Sequence, residues 1–227
     1  MRGYFIFNDF ISKSLGSLAE KPIISRANRQ FKEIQVLGRH STLIEDYKTY
    51  SNITIPLTIL ATKEDVWLDE NLLNTFNGEG GELKLSWLQG SFKVKYVSKF
   101  SIKQERTSYT IDLEFVCEPF RYLEEEIIQI TSSKEILIAG NYETEHITTV
   151  YGSGDISLLI NGEQINFKSV DGYISIDTDK LISYKDNLLT NNKMVGEFIK
   201  LKAGINKISW IGTVSKIEIR YRGRFLS

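Results

Sequence analysis

The chain has 227 residues, a net charge of −1 and a single cysteine, which excludes an intrachain disulfide framework. Neither half carries the basic excess that a nucleic-acid backbone attracts, and no apolar run approaches the roughly 20 residues of a membrane span. The opening MRGYFIFNDFISKS has too short an apolar core and no small-residue cleavage site for a secretory signal, so an ordinary soluble globular protein folded in a cytoplasm is expected.

In chain order, strand-like runs dominate: Tyr4–Phe7, Phe31–Leu37, Ile53–Leu60, Glu82–Trp87, Lys93–Ile102 and Tyr109–Cys117. One helix is predicted near 63–77. Thr62 is its cap, Asp65 completes a capping-box pattern, and Leu68, Leu72, Leu73 and Phe76 form a core-facing stripe. Asn77-Gly78 ends it, and NGEGG turns into the next strand. Pro119 is expected to end the strand before it. Glu124, Glu125 and Glu126 then read as a solvated connector, with a domain boundary near residue 130.

Beyond Gly140 the pattern is nearly all strand and turn. Asn161-Gly162 is a type I′ hairpin signal, since both central residues of that turn need positive φ. A two-residue loop pairs Ile160 with Glu163, Leu158 with Ile165 and Ile156 with Phe167, placing the apolar residues on one face. Asp171-Gly172 reads as a second hairpin turn, pairing Val170 with Tyr173 and adding Ile174 and Ile176 to that face as a third strand. Phe198–Trp210 reads as strand–turn–strand about Ala203-Gly204. The last strand sorts Ile217, Ile219 and Tyr221 inward and Glu218, Arg220, Arg222 and Arg224 outward.

Catalytic signatures are sparse. Gly152 and Gly154 begin a near miss to the dinucleotide fingerprint, but Ser157 replaces the third glycine and a strand follows where a helix is required. Two histidines and one cysteine are too little for a Cys/His zinc site. His40 lies in a loop-like stretch and His146 in a strand-like one, both ordinary residues. Cys117, beside Phe115 and Val116, reads as a buried structural thiol. Asp177-Thr178-Asp179 lacks the rest of a calcium loop, and no Gly-x-Ser-x-Gly elbow occurs. Glutamates hydrated in a connector, as at 124–126, are poor candidates for a catalytic acid. Tyr142, Tyr151, Trp210 and Tyr221 are the candidates for a sugar-stacking platform; packing in a sandwich is the favoured reading.

The ordered set YFIFND, KPIISRANRQFKEIQVLGR, NITIPL, EFVCEPFRY, GNYETEHITTVYGSGDISLLINGE, VDGYISID, NNKMVGEF, LKAGINKISW and IEIRYRGRF resembles the distal tail proteins of long, non-contractile-tailed bacteriophages across essentially the whole chain. Arg39-His40-Ser41 departs from that pattern, which has an acidic residue and glycine after the arginine. The resemblance implies a mainly β protein. Residues 1–130 would be a β-sandwich-like, ring-forming domain with one helix, and residues 131–227 a galectin-like β-sandwich of jelly-roll type. It implies a homo-hexameric ring at the distal end of the virion tail, assembled in the host cytoplasm. The ring would join the major tail tube protein to the tail-tip (tail-associated) protein and, in many phages, carry a receptor-binding protein. No catalysis, cofactor, metal, specific nucleic-acid contact or membrane insertion is implied.

A closing ring needs two different patches on each subunit. Ser25–Leu60 is the candidate for one, with Arg39, Tyr47 and Tyr50 as residue types enriched at interface anchors. The alternative function is a carbohydrate-binding adsorption module recognising host cell-wall saccharide. A wall-degrading enzyme ranks last. Phage-tail-like bacteriocins use similar parts.

Overall fold

A computed structural model describes residues 3–61 and 70–227, with the side chains of residues 70 and 71 outside the description. The predicted cap Thr62, its partner Asp65 and the stripe residue Leu68 also lie outside the described residues. The chain is mainly β, and its contacts divide it into two units: Met1–Tyr122 with Leu226–Ser227, and Leu123–Phe225.

The first unit contains β1 (Phe5–Phe7), β2 (Phe10–Ile11), β3 (Gly16–Leu18), β4 (Arg29–Ile34), β5 (Leu43–Tyr50), β6 (Ile53–Ala61), α1 (Glu70–Thr75), β7 (Gly81–Leu85), β8 (Ser91–Gln104) and the first part of β9 (Tyr109–Ile130). Its sheet runs β2-β1-β7-β8-β9-β6-β3. The two edges, β2 and β3, are joined only by a 3-10 turn over Ser12–Ser14. Five residues from Ile11 to Gly16 reach at most about 18 Å, so the sheet curls back on itself and encloses a core.

Strict alternation along β6 sends Ile53, Ile55, Leu57, Ile59 and Ala61 inward. Directly opposite on β9 stand Cys117, Phe115, Leu113 and Ile111. Such directly opposed apolar pairs stabilise a ladder beyond its backbone bonds. Pro56 is tolerated because β3 pairs only with Ile59–Ala61, leaving β6 without a second neighbour at Pro56. Leu72 on α1 and Phe76 just past its end are buried, and Phe76 stacks on Phe7 with centroids 5.8 Å apart. Leu73, expected in the same stripe, is instead half exposed.

The predicted end of the strand at Pro119 is overturned: β9 continues to Ile130 and the glutamates lie within it. β16 runs beside β9, so the backbone here is part of a sheet, while the three glutamate side chains remain exposed. Glu126 accepts the Tyr221 hydroxyl at 2.6 Å, and Glu125 pairs with Arg220 at 3.8 Å.

The second unit adds β10 (Lys134–Ile138), β11 (His146–Ile160), β12 (Glu163–Asp177), β13 (Ile182–Lys185), β14 (Leu188–Leu189), β15 (Met194–Val195) and β16 (Gly204–Leu226). The Asn161-Gly162 register is as predicted, from Ile160↔Glu163 to Ile156↔Phe167. The second hairpin is not: Asp171-Gly172 lies inside β12, which goes on pairing with β11 through Tyr151↔Tyr173 and Val150↔Ile174. Opposite the two-residue step from Gly154 to Ile156, β12 takes three residues, Phe167 to Val170. This is a bulge, with Ser169 at φ 49° and its N–H donated to the Asp155 carboxylate at 2.9 Å. The bulge switches the buried parity on β12, so Ile165 and Phe167 before it and Ile174 and Ile176 after it all reach one core.

β16 also bends at the same level, where its register with β11 shifts between Tyr151 and Ser157. A Cβ on Gly212 would meet the Asp155 carbonyl at 2.6 Å, and one on Gly152 the Thr213 carbonyl at 2.2 Å. The three long strands thus turn a corner at their glycines, and their two halves form the facing layers of a β-sandwich. Gly152 and Gly212 serve close backbone approach between strands, whereas Gly154, Gly162 and Gly172 supply positive φ.

Candidate functional site: the β4–β5 arm

Among the described residues, β4 and β5 pair only with each other. The stretch between the predicted strands Phe31–Leu37 and Ile53–Leu60 contains a strand of its own, β5, because Leu43 to Glu45 pair back onto Ile34 to Lys32. The hairpin is exposed along nearly its whole length. From Tyr50 to Leu43 it extends about 23 Å at strand rise, and the turn beyond carries Gly38 at φ 83°.

Its root is fastened. The Ser51 N–H donates to the Asn28 carbonyl at 2.8 Å, and the Ala27 N–H donates to Ser227 at 2.7 Å. Arg29 forks onto Asp46. The Lys48 N–H also donates to Asp46, at 2.8 Å, in an irregular step with Lys48 at φ 55°. The hydrogen bond from Arg29, and then that from Lys48, hold the Asp46 carboxyl below its ordinary pKa.

Apolar side chains occur on both faces. Phe31 and Ile44 share one side. Ile34 and Leu43 share the other, where Tyr47 follows. Phe31 is 53% exposed, Ile44 66% and Leu37, at the turn, 100%. A protein normally scatters such residues; a two-faced apolar hairpin with free edges is a surface built to be covered. Tyr47 is half exposed on this surface and Arg39 is exposed at its turn. Tyr50 differs: it sits at the root, half buried, with its ring edge-on to Phe120 at 6.3 Å. Sequence reasoning missed Phe31, Ile44 and Leu37, whose alternation only acquires meaning once the strand is known to have no sheet behind it.

The aromatic candidates of the second unit do not converge on one platform. Tyr221 is buried, Trp210 packs against the core, and Tyr142 lies under the Arg224 guanidinium at 5.4 Å. Tyr151 alone faces outward. It pairs with Tyr173 at 5.8 Å between centroids, with the Lys216 ammonium over its ring at 4.3 Å.

His146 is buried, and burial pushes its pKa down to about 4. Burial pushes the Cys117 thiol up to about 12. His40 is exposed in the arm's turn. Contrary to its expected outward position, Arg224 is buried against Glu145. Among the described residues no group of three His, Cys, Asp or Glu is placed to hold a metal ion.

The curled sheet with a packed helix, followed by a corner-turned sandwich, is a fold shared with a solved phage protein. The match is to the crystal structure of the SPP1 Dit protein, described as a paradigm of the hub adsorption apparatus in phages infecting Gram-positive bacteria. It has a TM-score of 0.76 and 11% identity, and covers 100% of both chains. A second similar structure, the phage p2 baseplate in its activated conformation with Sr, has a TM-score of 0.49 and 10% identity over 98% of both chains, too low to carry weight. No protein-family model matches the sequence, and no curated protein matches it.

Proposed function

We propose that this chain is a distal tail hub protein, a non-enzymatic virion component joining the tail tube to the tip and adsorption apparatus. The fold shared with the SPP1 hub protein supports the class. The observation that carries the assembly role is the β4–β5 arm. A lone two-stranded hairpin is marginal in water, and this one exposes apolar side chains on both faces. Its occupant is a neighbouring copy of the same chain. Arm and receiving surface are different patches, so the contact is heterologous and repeats until it closes, in this reading as a ring of six. Arg39 and Tyr47 are contact residues of the arm, and Tyr50 is a positioning residue at its root. Residues 1–130 form the ring and residues 131–227 lie outside it. The partners are the tube protein, the tip protein and, where one is carried, a receptor-binding protein.

Light scattering and negative-stain imaging of the full chain, alone and mixed with the tube and tip proteins, test this. Ring-sized particles are expected, and they should disperse in a Phe31→Ser, Ile44→Ser, Tyr47→Ser triple variant that keeps its native circular dichroism. A wild-type chain that stays monomeric at high concentration and joins neither partner would overturn the proposal.

The outward pair Tyr151–Tyr173 favours a second reading, a carbohydrate-binding adsorption module. It ranks lower because Lys216 already occupies a face of Tyr151. Saturable binding of host-wall polysaccharide, lost in Tyr151→Ala, would raise it above the hub reading.

A further inference from the structure

The chain holds two Asn-Gly pairs, at 77–78 and 161–162, that the fold treats in opposite ways. Asn161, in the β11–β12 turn, is anchored at each polar side-chain atom. Its Oδ1 accepts the Lys207 N–H at 3.0 Å, and its Nδ2 donates to Oδ1 of Asn206 at 2.9 Å. Its own backbone N–H donates to the Lys207 carbonyl at 2.9 Å. Asn206 is itself fully buried and bonded to Lys202 and Gly204. The Asn161 side chain is thus held at both its oxygen and its nitrogen.

Asn77, just past α1, is exposed. Its Oδ1 accepts the Glu79 N–H at 3.0 Å. A Cβ at Gly78 or at Gly162 would meet nothing within 4 Å, and both have positive φ, so the glycines do not distinguish the two sites. The difference lies in the asparagines: Asn161 Nδ2 is bonded to Asn206, whereas no hydrogen bond among the described residues holds Asn77 Nδ2. Glycine lets the backbone nitrogen swing toward the side-chain carbonyl carbon with no Cβ to obstruct it.

We propose that Asn77 is a site of spontaneous deamidation in the folded chain and that Asn161 is protected from it. The Gly78 nitrogen gives its proton to hydroxide and attacks Cγ of Asn77. The new N–C bond closes a five-membered succinimide, the Cγ–Nδ2 bond breaks, and ammonia leaves with a proton from water. A water molecule then opens the ring at either carbonyl, leaving an aspartate or an isoaspartate at position 77. Water and base are the only co-reactants, and no electrons are exchanged. The product places a new negative charge in the cleft that Asn77 shares with Asp9 and Glu79, so the chain ages into more acidic forms without unfolding. This inference does not depend on the proposed assembly role.

The full chain is incubated in mildly alkaline buffer, native and in urea, and sampled over time by peptide mapping with enzymatic isoaspartate labelling. In urea both positions convert at similar rates, since both are Asn-Gly. In the native chain position 77 should convert within a few-fold of its urea rate, and position 161 at least an order of magnitude more slowly than in urea. Native protection of position 77 equal to that of 161, or equal native rates at both, would overturn the proposal. A second variant isolates the anchor: Asn206→Ala should speed conversion at 161 in the native chain and leave 77 unchanged. An unchanged rate at 161 would remove the protective half of the claim.

Discussion

Asp46 receives both arms of the Arg29 guanidinium across the root of the β4–β5 hairpin, Nε to Oδ1 at 3.0 Å and Nη2 to Oδ2 at 2.5 Å. This planar fork fixes the direction in which the arm leaves the first unit. Both side chains are substantially exposed, so its effect is on local order rather than on global stability. Asp46→Ala should leave the melting temperature unchanged and speed protease nicking between Arg29 and Tyr50. The Asp46 pKa is lowered in the fold. The fork therefore contributes fully above the ordinary carboxyl pKa of about 4 and is lost as pH falls through the lowered value. Wild-type nicking by an acid-active protease should rise only in that acid range. Equal nicking of variant and wild type at neutral pH would show that the fork adds no order.

Glu145 and Arg224 form the most buried ion pair described in the second unit, at 2.5 Å, with the arginine side chain 6% exposed. Burial opposes ionisation of Glu145, but Arg224 and then Lys200 outweigh it and hold the carboxyl below its ordinary value. Removing one partner strands the other charge. Glu145→Ala should cost about 3–5 kcal/mol in urea unfolding. A double variant with Arg224→Met should recover much of that loss, because it removes both charges. Equal stability of single and double variants would indicate that solvent reaches Arg224.

The buried His146 donates Nε2–H to the Ile199 carbonyl at 2.8 Å, so Nδ1 accepts the Thr148 hydroxyl, also at 2.8 Å, and the ring is neutral. Burial lowers its pKa from 6.5 to about 4, against the bond to Ile199 and the charges of Asp177 and Glu145, which pull the other way. The unfolded chain thus takes up a proton that the folded chain refuses. Stability is full above pH ~6.5 and falls on acidification to pH ~4, by about 3 kcal/mol. Urea midpoints measured across that range should fall in the wild type and fall markedly less in His146→Gln.

At the sandwich corner two neighbouring glycines have different reasons. Gly152→Ala puts a methyl against the Thr213 carbonyl, a backbone atom that cannot move without parting β11 from β16. It should cost about 2–3 kcal/mol. At Gly154 a methyl meets open space, and only φ 76° opposes it, which costs about 1 kcal/mol. Calorimetry of both variants should rank them in that order.

The candidate interface was only partly legible in the sequence. Tyr47 and Arg39 do lie on the arm, but the apolar residues beside them look in sequence like any strand bound for a core. Nothing local distinguishes Phe31, whose strand has no sheet behind it, from Phe115, whose strand does. The Asp171-Gly172 misreading has a similar origin. The dipeptide suits a tight turn, yet it also suits an irregular strand, and the 15-residue partner β11 decides between them.

Whatever depends on near neighbours could be read along the chain: the β class, the Asn161-Gly162 register with its sorted faces, the inward set Ile217, Ile219 and Tyr221, and the apolar setting of Cys117. Turn chemistry and period-two alternation act over a few residues and can be read there. Folding in three dimensions set the rest: which strand pairs with which, that β9 runs past Pro119 and the glutamates, that Arg224 turns inward to Glu145, and that β4 and β5 stand apart as an arm. Each of these depends on a partner far away in the chain, and burial is a property of that partner as much as of the residue itself.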